Sequence, residues 1–475
     1  MVSLLNRKLK SYLEQHMYSF HTPGHKGRKD SFSEFSFPGF DLTELPGLDM
    51  LHNPQGIIAE AQNKAAAIYG ADETFFLVNG GTSGNQAMLF SLMSKISGKK
   101  IRIERKAHRS VIGGLILSGL TPEYIYPQIH PDFNLPLGLD AKRFLSDIQE
   151  TGALHLTYPS YYGTTPDLEY IIKQRDEKFP HLPVLVDQAH GAHFLGTSFP
   201  QGAVRLGADV VIHSTHKTLA ALTQAGMLHV QGSRIDRSSM RKSLEILQTS
   251  SPSYLLLASL ERAVNQLEKT ETWQNLFEEV QLLHQKLDGK LRILTRKDAG
   301  EYGIKEVDWT KILVNISNLE VTTAQAVGIL RTNYRIEPEL WDKENILFML
   351  GIGSRPEDVS HLTKALEYLV AKYSLGDTVN SSQQGRLQRL EQLLPPIVHL
   401  TPREAWLGPK KLVKVHESLG LIAGETISIY PPGIPLVALG EEITPVIIEF
   451  LQRASEYNWQ GWEGFDKGQI LVMDV

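Results

Sequence analysis

The chain of 475 residues contains no cysteine, which excludes disulfide bonds, zinc–thiolate sites and cysteine nucleophiles. It has no apolar run of about 18 residues, the length that a transmembrane helix needs. The N-terminal segment MVSLLNRKLKSYLEQHMYSF carries charges throughout and lacks the apolar stretch of a signal peptide. Positive charge is not in excess, since 48 Lys and Arg stand against 53 Asp and Glu. We therefore expect a cytoplasmic protein that binds neither nucleic acid nor membranes.

Length and composition indicate a globular protein of several units. Hydrophobic residues make up 42% and charged residues 21% of the chain, which is typical of folded domains. At roughly 150 residues per domain the length corresponds to about three units. A polar, glycine-containing stretch at 374–385 predicts a linker. We divide the chain into an N-terminal arm (1–30), a large domain (31–290), a smaller α/β domain (291–376) and a C-terminal domain (386–475).

Strand-like and helix-like segments alternate through the large domain. TFFLVN (74–79) is typical of a strand, and TSGNQAMLFSLMSKISG (82–98) has the pattern of a helix. The same order recurs around PVLVDQAHGAH and ADVVIHSTHK. Because parallel strands need crossover connections, this alternation predicts an α/β fold with a mainly parallel sheet. Ligands in such sheets bind beyond the carboxyl ends of the strands.

An acid and a base follow two of these apolar strands. Asp187 ends the first, and Lys217 comes thirty residues later, after the second. A buried carboxylate needs a cationic partner. Pyridoxal phosphate requires both groups, because its aldehyde forms a Schiff base with a lysine and its pyridine nitrogen needs an acid to keep it protonated. The pair therefore indicates a pyridoxal phosphate site, although Lys217 alone could be a solvated loop residue and Asp187 alone a turn or cap residue.

Further residues near strand ends have side chains and N–H groups that could bind the phosphate and the ring of this cofactor. NGGTSGN (79–85) opens a helix, where Gly81, Thr82 and Ser83 can offer N–H groups and hydroxyls to a phosphate. Ser214 adds another hydroxyl, and the His108 imidazole can stack on the pyridine ring. Such a glycine-rich stretch also serves ordinary turns, and a histidine is often only packed in the core.

Other histidines and prolines have simpler explanations. His190 and His193 have the spacing of a metal pair, but no third ligand is evident and we expect no metal site. His21 and His25 in HTPGHKG either shape a proline turn or lie near the mouth of the site. The segment Tyr430–Pro432 is interpreted as a rigid loop.

At this point the sequence resembles the pyridoxal-phosphate-dependent ornithine/lysine/arginine decarboxylases of bacteria, which have the type I aspartate aminotransferase fold. The resemblance rests on HTPGHKG (21–27), NGGTSGN, AHRS, DQAHGAH, STHKTL, QTSSPSY (248–254) and YPPGIP (430–435), in the order of the family. Since HTPGHKG begins at residue 21, the chain resembles the short form, without the receiver-like N-terminal domain of the large enterobacterial members.

The resemblance assigns a role to each matching position. Lys217 would form the Schiff base, Asp187 would hold the pyridine nitrogen and His108 would stack on the ring. Thr82, Ser83 and Ser214 would hold the phosphate with Gly81, and His216 would contact it or assist protonation. Ala189 and His190 would line the cofactor, although His190 stands where some long members have an aromatic residue and Gln188 where many short ones have an acid. Thr249, or a neighbouring hydroxyl of the same TSS run, would reach the phosphate of the other subunit of a homodimer.

The resemblance implies decarboxylation of a basic amino acid. The first expected reaction is conversion of arginine to agmatine. Conversion of lysine to cadaverine is the second choice, and conversion of ornithine to putrescine is the third. Two alternatives remain open. One is another type I reaction, such as transamination, for which Arg331, Arg335 or Arg403 could bind the substrate carboxylate, and the other is a regulator that binds the cofactor without turnover. Charge alone offers three acids for the far end of the substrate, namely Asp49, Glu441 and Glu442.

Overall fold

The computed structural model describes residues 14–26, 28, 41–96, 100–267, 271–374, 396–430, 433–453 and 458–474. Most of the predicted linker at 374–385 lies outside the described residues, as do much of the predicted N-terminal arm and Pro431 and Pro432 of YPPGIP. Within the described part of the chain, no helix has the length and apolar character needed to cross a membrane.

The described residues of the first region, 14–267, include eleven strands and nine helices. Its strands are β1 Tyr18–Phe20, β2 Glu73–Leu77, β3 Lys100–Glu104, β4 Thr121–Ile125, β5 Gln128–His130, β6 Leu135–Gly138, β7 Thr151–Thr157, β8 Thr164–Thr165, β9 Val184–Asp187, β10 Val210–His213 and β11 Gly226–Val230. Its helices are α1 Ile57–Tyr69, α2 Gly80–Phe90, α3 Met93–Ile96, α4 Arg109–Ser118, α5 Ala141–Phe144, α6 Leu168–Lys178, α7 Ala203–Leu206, α8 Arg237–Leu247 and α9 Tyr254–Gln266.

Seven of these strands form one sheet in the order β2-β11-β10-β9-β7-β3-β4. Strand β11 runs antiparallel to both neighbours, and the other strands are parallel. The central strands β9 and β10 are buried along their whole length, as expected for a sheet covered by helices on both faces. The predicted α/β class with a mainly parallel sheet is confirmed. The alternation of strand-like and helix-like segments predicted it because parallel strands need crossover connections.

The second region, 271–374, builds a smaller antiparallel sheet. Its elements are α10 Glu271–Leu287, β12 Arg292–Ile293, β13 Glu306–Val307, β14 Lys311–Asn315, α11 Thr323–Tyr334, β15 Ile336–Pro338, β16 Leu340–Trp341, β17 Asn345–Met349 and α12 Pro356–Tyr373. The four-stranded sheet has the order β12-β14-β17-β16. Strand β1 pairs in parallel with β15, so the N-terminal segment is anchored on this region.

The third region, 396–474, contains two small antiparallel sheets. Its elements are α13 Pro402–Leu407, β18 Lys410–Lys414, β19 Ile427–Tyr430, β20 Ile434–Val437, α14 Pro445–Gln452, β21 Asn458–Gln460 and β22 Gln469–Met473. The region has its own apolar core, which includes Ile427, Val437 and Phe450. It is tied to the large sheet by a buried ion pair between Arg105, which follows β3, and Glu441.

Candidate active site

Asp187 and Lys217 lie at the carboxyl ends of two neighbouring strands. Asp187 is the last residue of β9, and it is paired with Ile212 of the parallel strand β10. A short 3-10 helix, Thr215–Lys217, follows β10 and carries the lysine. Because β9 and β10 are adjacent and parallel, their ends meet at one edge of the sheet. The structure therefore brings the two residues to the same edge.

The Asp187 carboxylate is buried and hydrogen-bonded to neutral donors. Its Oδ2 accepts a hydrogen bond from Asn85 Nδ2 at 2.8 Å, and its Oδ1 accepts one from the N–H of Ala189 at 3.0 Å. Only 3% of Asp187 is exposed. Among the residues that the structure describes, no cationic side chain forms an ion pair with Asp187. A buried carboxylate without a cationic partner is costly, so this position suits a ligand that brings a positive charge.

The Lys217 amine contacts a neutral histidine. Lys217 Nζ lies 2.9 Å from His190 Nε2. Burial lowers the pKa of Lys217, while the negative charges of Asp187 and Glu339 oppose this effect. Burial also lowers the pKa of His190 well below its usual value, and the nearby Lys217 and Lys311 lower it further. His190 is therefore neutral near pH 7 and can accept a hydrogen bond from Lys217.

Two further histidines flank the lysine. His216 Nδ1 donates to the carbonyl of Ala225 at 3.0 Å, and burial lowers the pKa of His216 to about 4. His108 caps α4, where its Nδ1 accepts a hydrogen bond from the N–H of Ser110. Burial lowers the pKa of His108, and the negative charge of Asp187 opposes this effect, while part of the residue remains exposed. An exposed imidazole that feels the charge of Asp187 suits stacking on a planar ligand.

The first turn of α2 forms a cradle beside Ser214. Gly81, Thr82 and Ser83 all lie in this turn, and the side chain of the preceding residue Asn79 makes no capping hydrogen bond. A Cβ atom on Gly81 would lie 2.5 Å from Ser214 Oγ, so only glycine lets this hydroxyl approach the helix start. The uncapped N–H groups, the helix dipole and the Ser214 hydroxyl suit an anion.

Thr249 lies at the rim of the same cradle. Its N–H donates to Asn79 Oδ1 at 3.3 Å, and its carbonyl accepts a hydrogen bond from His52 Nε2 at 2.9 Å. Thr249 and its neighbours Ser250 and Ser251 are exposed. The expected contact of Thr249 with another subunit stays a prediction.

The HTPGHKG segment packs directly on the lysine loop. The N–H of Gly24 donates to the carbonyl of His216 at 2.7 Å, and the N–H of Gly353 donates to the carbonyl of Gly24 at 3.1 Å. A Cβ atom on Gly24 would lie 2.6 Å from the carbonyl carbon of Thr218. Three stretches of backbone therefore meet at this point, and a side chain on Gly24 would separate them.

Sequence reasoning missed three residues of the site. Asn85 belongs to the quoted motif NGGTSGN but received no role there, although it donates to Asp187. The Tyr161 ring lies 4.6 Å from the His190 ring, and its hydroxyl donates to Glu339 Oε1 at 2.5 Å. Tyr161 follows the apolar strand β7, which is a usable signal. Glu339 lies in the bend between β15 and β16, and no local pattern marked it.

The three acids chosen by charge have other partners. Glu441 pairs with Arg105, with 2.8 Å between its Oε2 and Arg105 Nη2, and Glu442 pairs with His399 at 2.8 Å. Asp49 accepts N–H groups at the start of α1, which lower its pKa to about 2 against the effect of burial. Glu441 is therefore a structural ion-pair partner, and Asp49 is a helix-capping residue.

The three arginines considered for a substrate carboxylate also have roles elsewhere. Arg331 Nε lies 2.8 Å from Glu337 Oε2, and Arg403 Nε donates to the carbonyl of Ile116 at 2.7 Å. Arg335 is an exposed residue at the end of α11. These contacts weaken the transamination alternative.

His193, one of the two histidines with metal-ligand spacing, has an acidic partner. His193 lies 3.1 Å from Asp308 in a buried pair, and the described residues contain no group of three or more His, Asp and Glu side chains arranged to hold a metal ion.

A cavity of about 740 Å³ lies between the end of α10 and segment 288–298. Lys217, Asp187, His190 and His216 do not line it.

Most of the chain is similar to known proteins. The family model described as "Orn/Lys/Arg decarboxylase, major domain" matches residues 4–299, and "Orn/Lys/Arg decarboxylase, C-terminal domain" matches 392–468. An arginine decarboxylase of Bacillus anthracis is 33% identical over 452 residues, covering 92% of this chain and 90% of its own. An arginine decarboxylase of Bacillus subtilis is 33% identical over 460 residues, covering 93% and 91%. The structure of the constitutive lysine decarboxylase of Escherichia coli superposes with a TM-score of 0.74 at 20% identity, covering 98% of this chain and 81% of that one.

Proposed function

Because the chain belongs to the Orn/Lys/Arg decarboxylase family, we propose that this decarboxylase converts L-arginine to agmatine and carbon dioxide, with pyridoxal phosphate as its cofactor. The observation that carries the proposal is the position of Lys217 and Asp187 at adjacent strand ends. The choice of arginine is supported by relatives named arginine decarboxylase at 33% identity over most of both chains. Lysine and then ornithine are the next substrates to consider.

The residues present fit pyridoxal phosphate. Asp187 is buried and accepts hydrogen bonds only from the neutral donors described above, so a protonated pyridine nitrogen would supply the missing positive charge. Lys217 would hold the aldehyde carbon, and the exposed His108 ring would cover one face of the pyridine. The start of α2 with Ser214 would hold the phosphate. Ala189 positions the Asp187 carboxylate through its N–H, and His190 contacts the lysine.

When bound, pyridoxal phosphate supplies an electron sink for the electron pair that remains at Cα after the carboxylate leaves. The protein's own side chains hold and transfer the protons of the reaction. Because burial lowers the pKa of Lys217, a larger fraction of its amine is neutral and nucleophilic near pH 7. Lys217 Nζ can then exchange protons with the substrate amine and return a proton to Cα. The neutral His190 Nε2 orients the lysine amine through their 2.9 Å contact.

We further propose that two copies of the chain form a homodimer around this site. Thr249 is exposed at the rim of the cradle, and segment 42–57 beside it presents exposed apolar side chains, namely Leu42, Leu45, Met50 and Ile57. The two are linked by the hydrogen bond from His52 to the Thr249 carbonyl. Burying these side chains against a second copy would remove apolar surface from water. Sedimentation velocity of the purified chain tests this, and a monomer at micromolar concentration would contradict it.

The function is tested by incubating the purified protein and pyridoxal phosphate separately with L-arginine, L-lysine and L-ornithine. Carbon dioxide and the product amine are both measured. We expect equal amounts of carbon dioxide and agmatine from arginine, with the highest kcat/KM of the three. Lys305→Ala, a change at an exposed lysine paired with Asp167, serves as the matched control for Lys217→Ala. The absence of carbon dioxide from all three substrates would overturn the proposal.

A further inference from the structure

His155 is a fully buried histidine whose ring nitrogens are unpaired. The residue lies in β7, and none of its surface is exposed. Among the residues that the structure describes, neither Nδ1 nor Nε2 of the ring has a hydrogen-bond partner. A neutral imidazole carries one N–H donor and one acceptor nitrogen, and leaving both unpaired in the core is costly. An apolar residue would fill this position at lower cost if filling space were the whole role.

The strand register places His155 beside Asp187. His155 is paired with Leu185 of β9. Two residues further along β7, Thr157 is paired with Asp187. Because alternate side chains of a strand point to the same face of the sheet, His155 and Asp187 are diagonal neighbours on one face. On its other side, His155 is paired with Ile103 of β3, so the strand neighbours paired with it are apolar.

Asp187 is the charged group that acts on this ring. Burial lowers the pKa of His155 to about 4, and the negative charge of Asp187 opposes the effect. His155 is therefore neutral near pH 7 and keeps one N–H. The Asp187 carboxylate accepts hydrogen bonds from Asn85 Nδ2 and the N–H of Ala189, whereas a carboxylate has about four acceptor positions. It can therefore accept a further donor.

Two other titratable side chains interact with the charge of Asp187, namely His108 and Lys217. Both have a place at the proposed cofactor site, since Lys217 would hold the aldehyde and His108 would cover the ring. His155 lies deeper in the sheet, at the level of Leu185 rather than at the strand end. It can therefore act on the cofactor only through Asp187.

We propose that His155 is a positioning residue that stabilises the negative charge of Asp187 by turning its N–H toward the carboxylate. The inference rests on the proposed function and deepens it, because it concerns the same cofactor site. Hydrogen bonds to an ionised acceptor are stronger than those between neutral groups. A neutral donor also suits this position better than a cation, because a cation would compete with the pyridine nitrogen for the charge of Asp187.

The test measures the dissociation constant of pyridoxal phosphate for the apoprotein by titration. His155→Leu has no N–H, so this constant should rise by about 10-fold through loss of a hydrogen bond to a charged group. His155→Gln keeps an N–H donor and should stay within about threefold of wild type. In the holoenzyme with L-arginine, His155→Leu should lower kcat and leave KM nearly unchanged. His155→Met also lacks an N–H and gives the same comparison if the leucine variant does not fold.

A double-mutant cycle with Asp187→Asn separates this role from a structural one. Asparagine has no negative charge to stabilise, so adding His155→Leu to Asp187→Asn should weaken cofactor binding by less than about twofold. His229→Leu is the matched control, since His229 is a buried histidine on the opposite face of the same sheet. Its loss should change the dissociation constant by less than about twofold.

Three results would overturn the inference. Equal losses of affinity in the wild-type and Asp187→Asn backgrounds would show that His155 only supports the local structure. A glutamine variant as weak as the leucine variant would exclude the N–H as the cause. A wild type that binds the cofactor and decarboxylates, but whose affinity His155→Leu leaves unchanged, contradicts the inference alone. If the wild-type apoprotein binds no pyridoxal phosphate, the proposed function and this inference both fail.

Discussion

Two buried charged sites in this protein are built in opposite ways. Under the C-terminal region, Arg105 and Glu441 are each 1% exposed and pair with each other. Arg105 Nε also donates to the Pro435 carbonyl at 3.0 Å, and its guanidinium lies 4.6 Å from the centre of the Tyr124 ring. At the strand ends, by contrast, Asp187 accepts hydrogen bonds from neutral donors only. The first site is complete without a ligand, whereas the second leaves a buried charge that a ligand can neutralise.

The pKa values of the cationic groups at the two sites are shifted in opposite directions. Burial alone lowers the pKa of Arg105, but the Glu441 carboxylate outweighs burial and holds that pKa above its ordinary value. At Lys217 burial outweighs the nearby carboxylates, and the pKa is lowered. Perturbed groups without a matching counter-ion are characteristic of functional sites. Charge alone therefore does not identify a site, but the balance between burial and pairing does.

The largest effect on activity is expected from Lys217→Ala. The variant lacks the amine that would hold the cofactor and move the proton, so turnover should fall by at least about 10³-fold. Carbon dioxide release from L-arginine measures this loss. The melting temperature should change little, since Lys217 makes no ion pair among the described residues. Turnover at the wild-type rate would show that another residue carries the chemistry.

The largest effect on stability is expected at the other site. Arg105→Ala leaves Glu441 charged and unpaired in the core, which should cost about 3–5 kcal/mol of unfolding free energy. Urea unfolding of the purified variants measures this cost. The double variant Arg105→Met and Glu441→Leu should recover most of it, because both charges are gone. If the single change had no effect on stability but abolished turnover, the assignment of this pair as structural would be wrong.

A smaller loss of activity is expected from Asp187→Asn. Asparagine is nearly isosteric but carries no charge, so the pyridine nitrogen would lose its anionic partner, and kcat should fall on the order of 10²-fold. The affinity for pyridoxal phosphate should also weaken, as followed by cofactor absorbance during dialysis. Asp176→Asn, at a half-exposed ion pair with Arg234, is the control. Unchanged kcat and unchanged cofactor retention in Asp187→Asn would contradict the role of the buried carboxylate.

A pH dependence of stability is expected from Lys26. Burial lowers the pKa of Lys26 from 10.5 to about 7, opposed by Glu339. Between these values the unfolded chain binds more protons than the folded one, so stability rises with pH. Below about pH 7 the folded state carries the full cost of the buried ammonium.

Lys26→Met removes this titration. The stability of the variant relative to wild type should be most favourable below about pH 7 and should decline as pH rises toward 10.5. Urea unfolding at about pH 6 and about pH 9 measures the change, with the exposed Lys64→Met as the control. A difference between variant and wild type that is the same at both pH values would contradict the assignment.

The sequence allowed the sheet and the ends of its strands to be predicted because those signals are local. Buried parallel strands produce continuous apolar runs, and the polar residues that end them, such as Asp187 and Lys217, stand out. Glu339 gave no such signal, since it lies in a bend between two short strands and is 178 residues along the chain from its partner Tyr161. Charge alone pointed to Glu441, whose partner Arg105 is 336 residues away. Such long-range pairings depend on the tertiary fold, which local patterns do not encode.

The central claim is that the buried, unneutralised edge of the sheet holds the cofactor on Lys217. The most direct measurement is reduction of the holoenzyme with borohydride, followed by digestion and mass spectrometry of the peptides. We predict one pyridoxyl group per chain, attached to Lys217. An active preparation in which the group is attached to another lysine, or to none, would contradict the account.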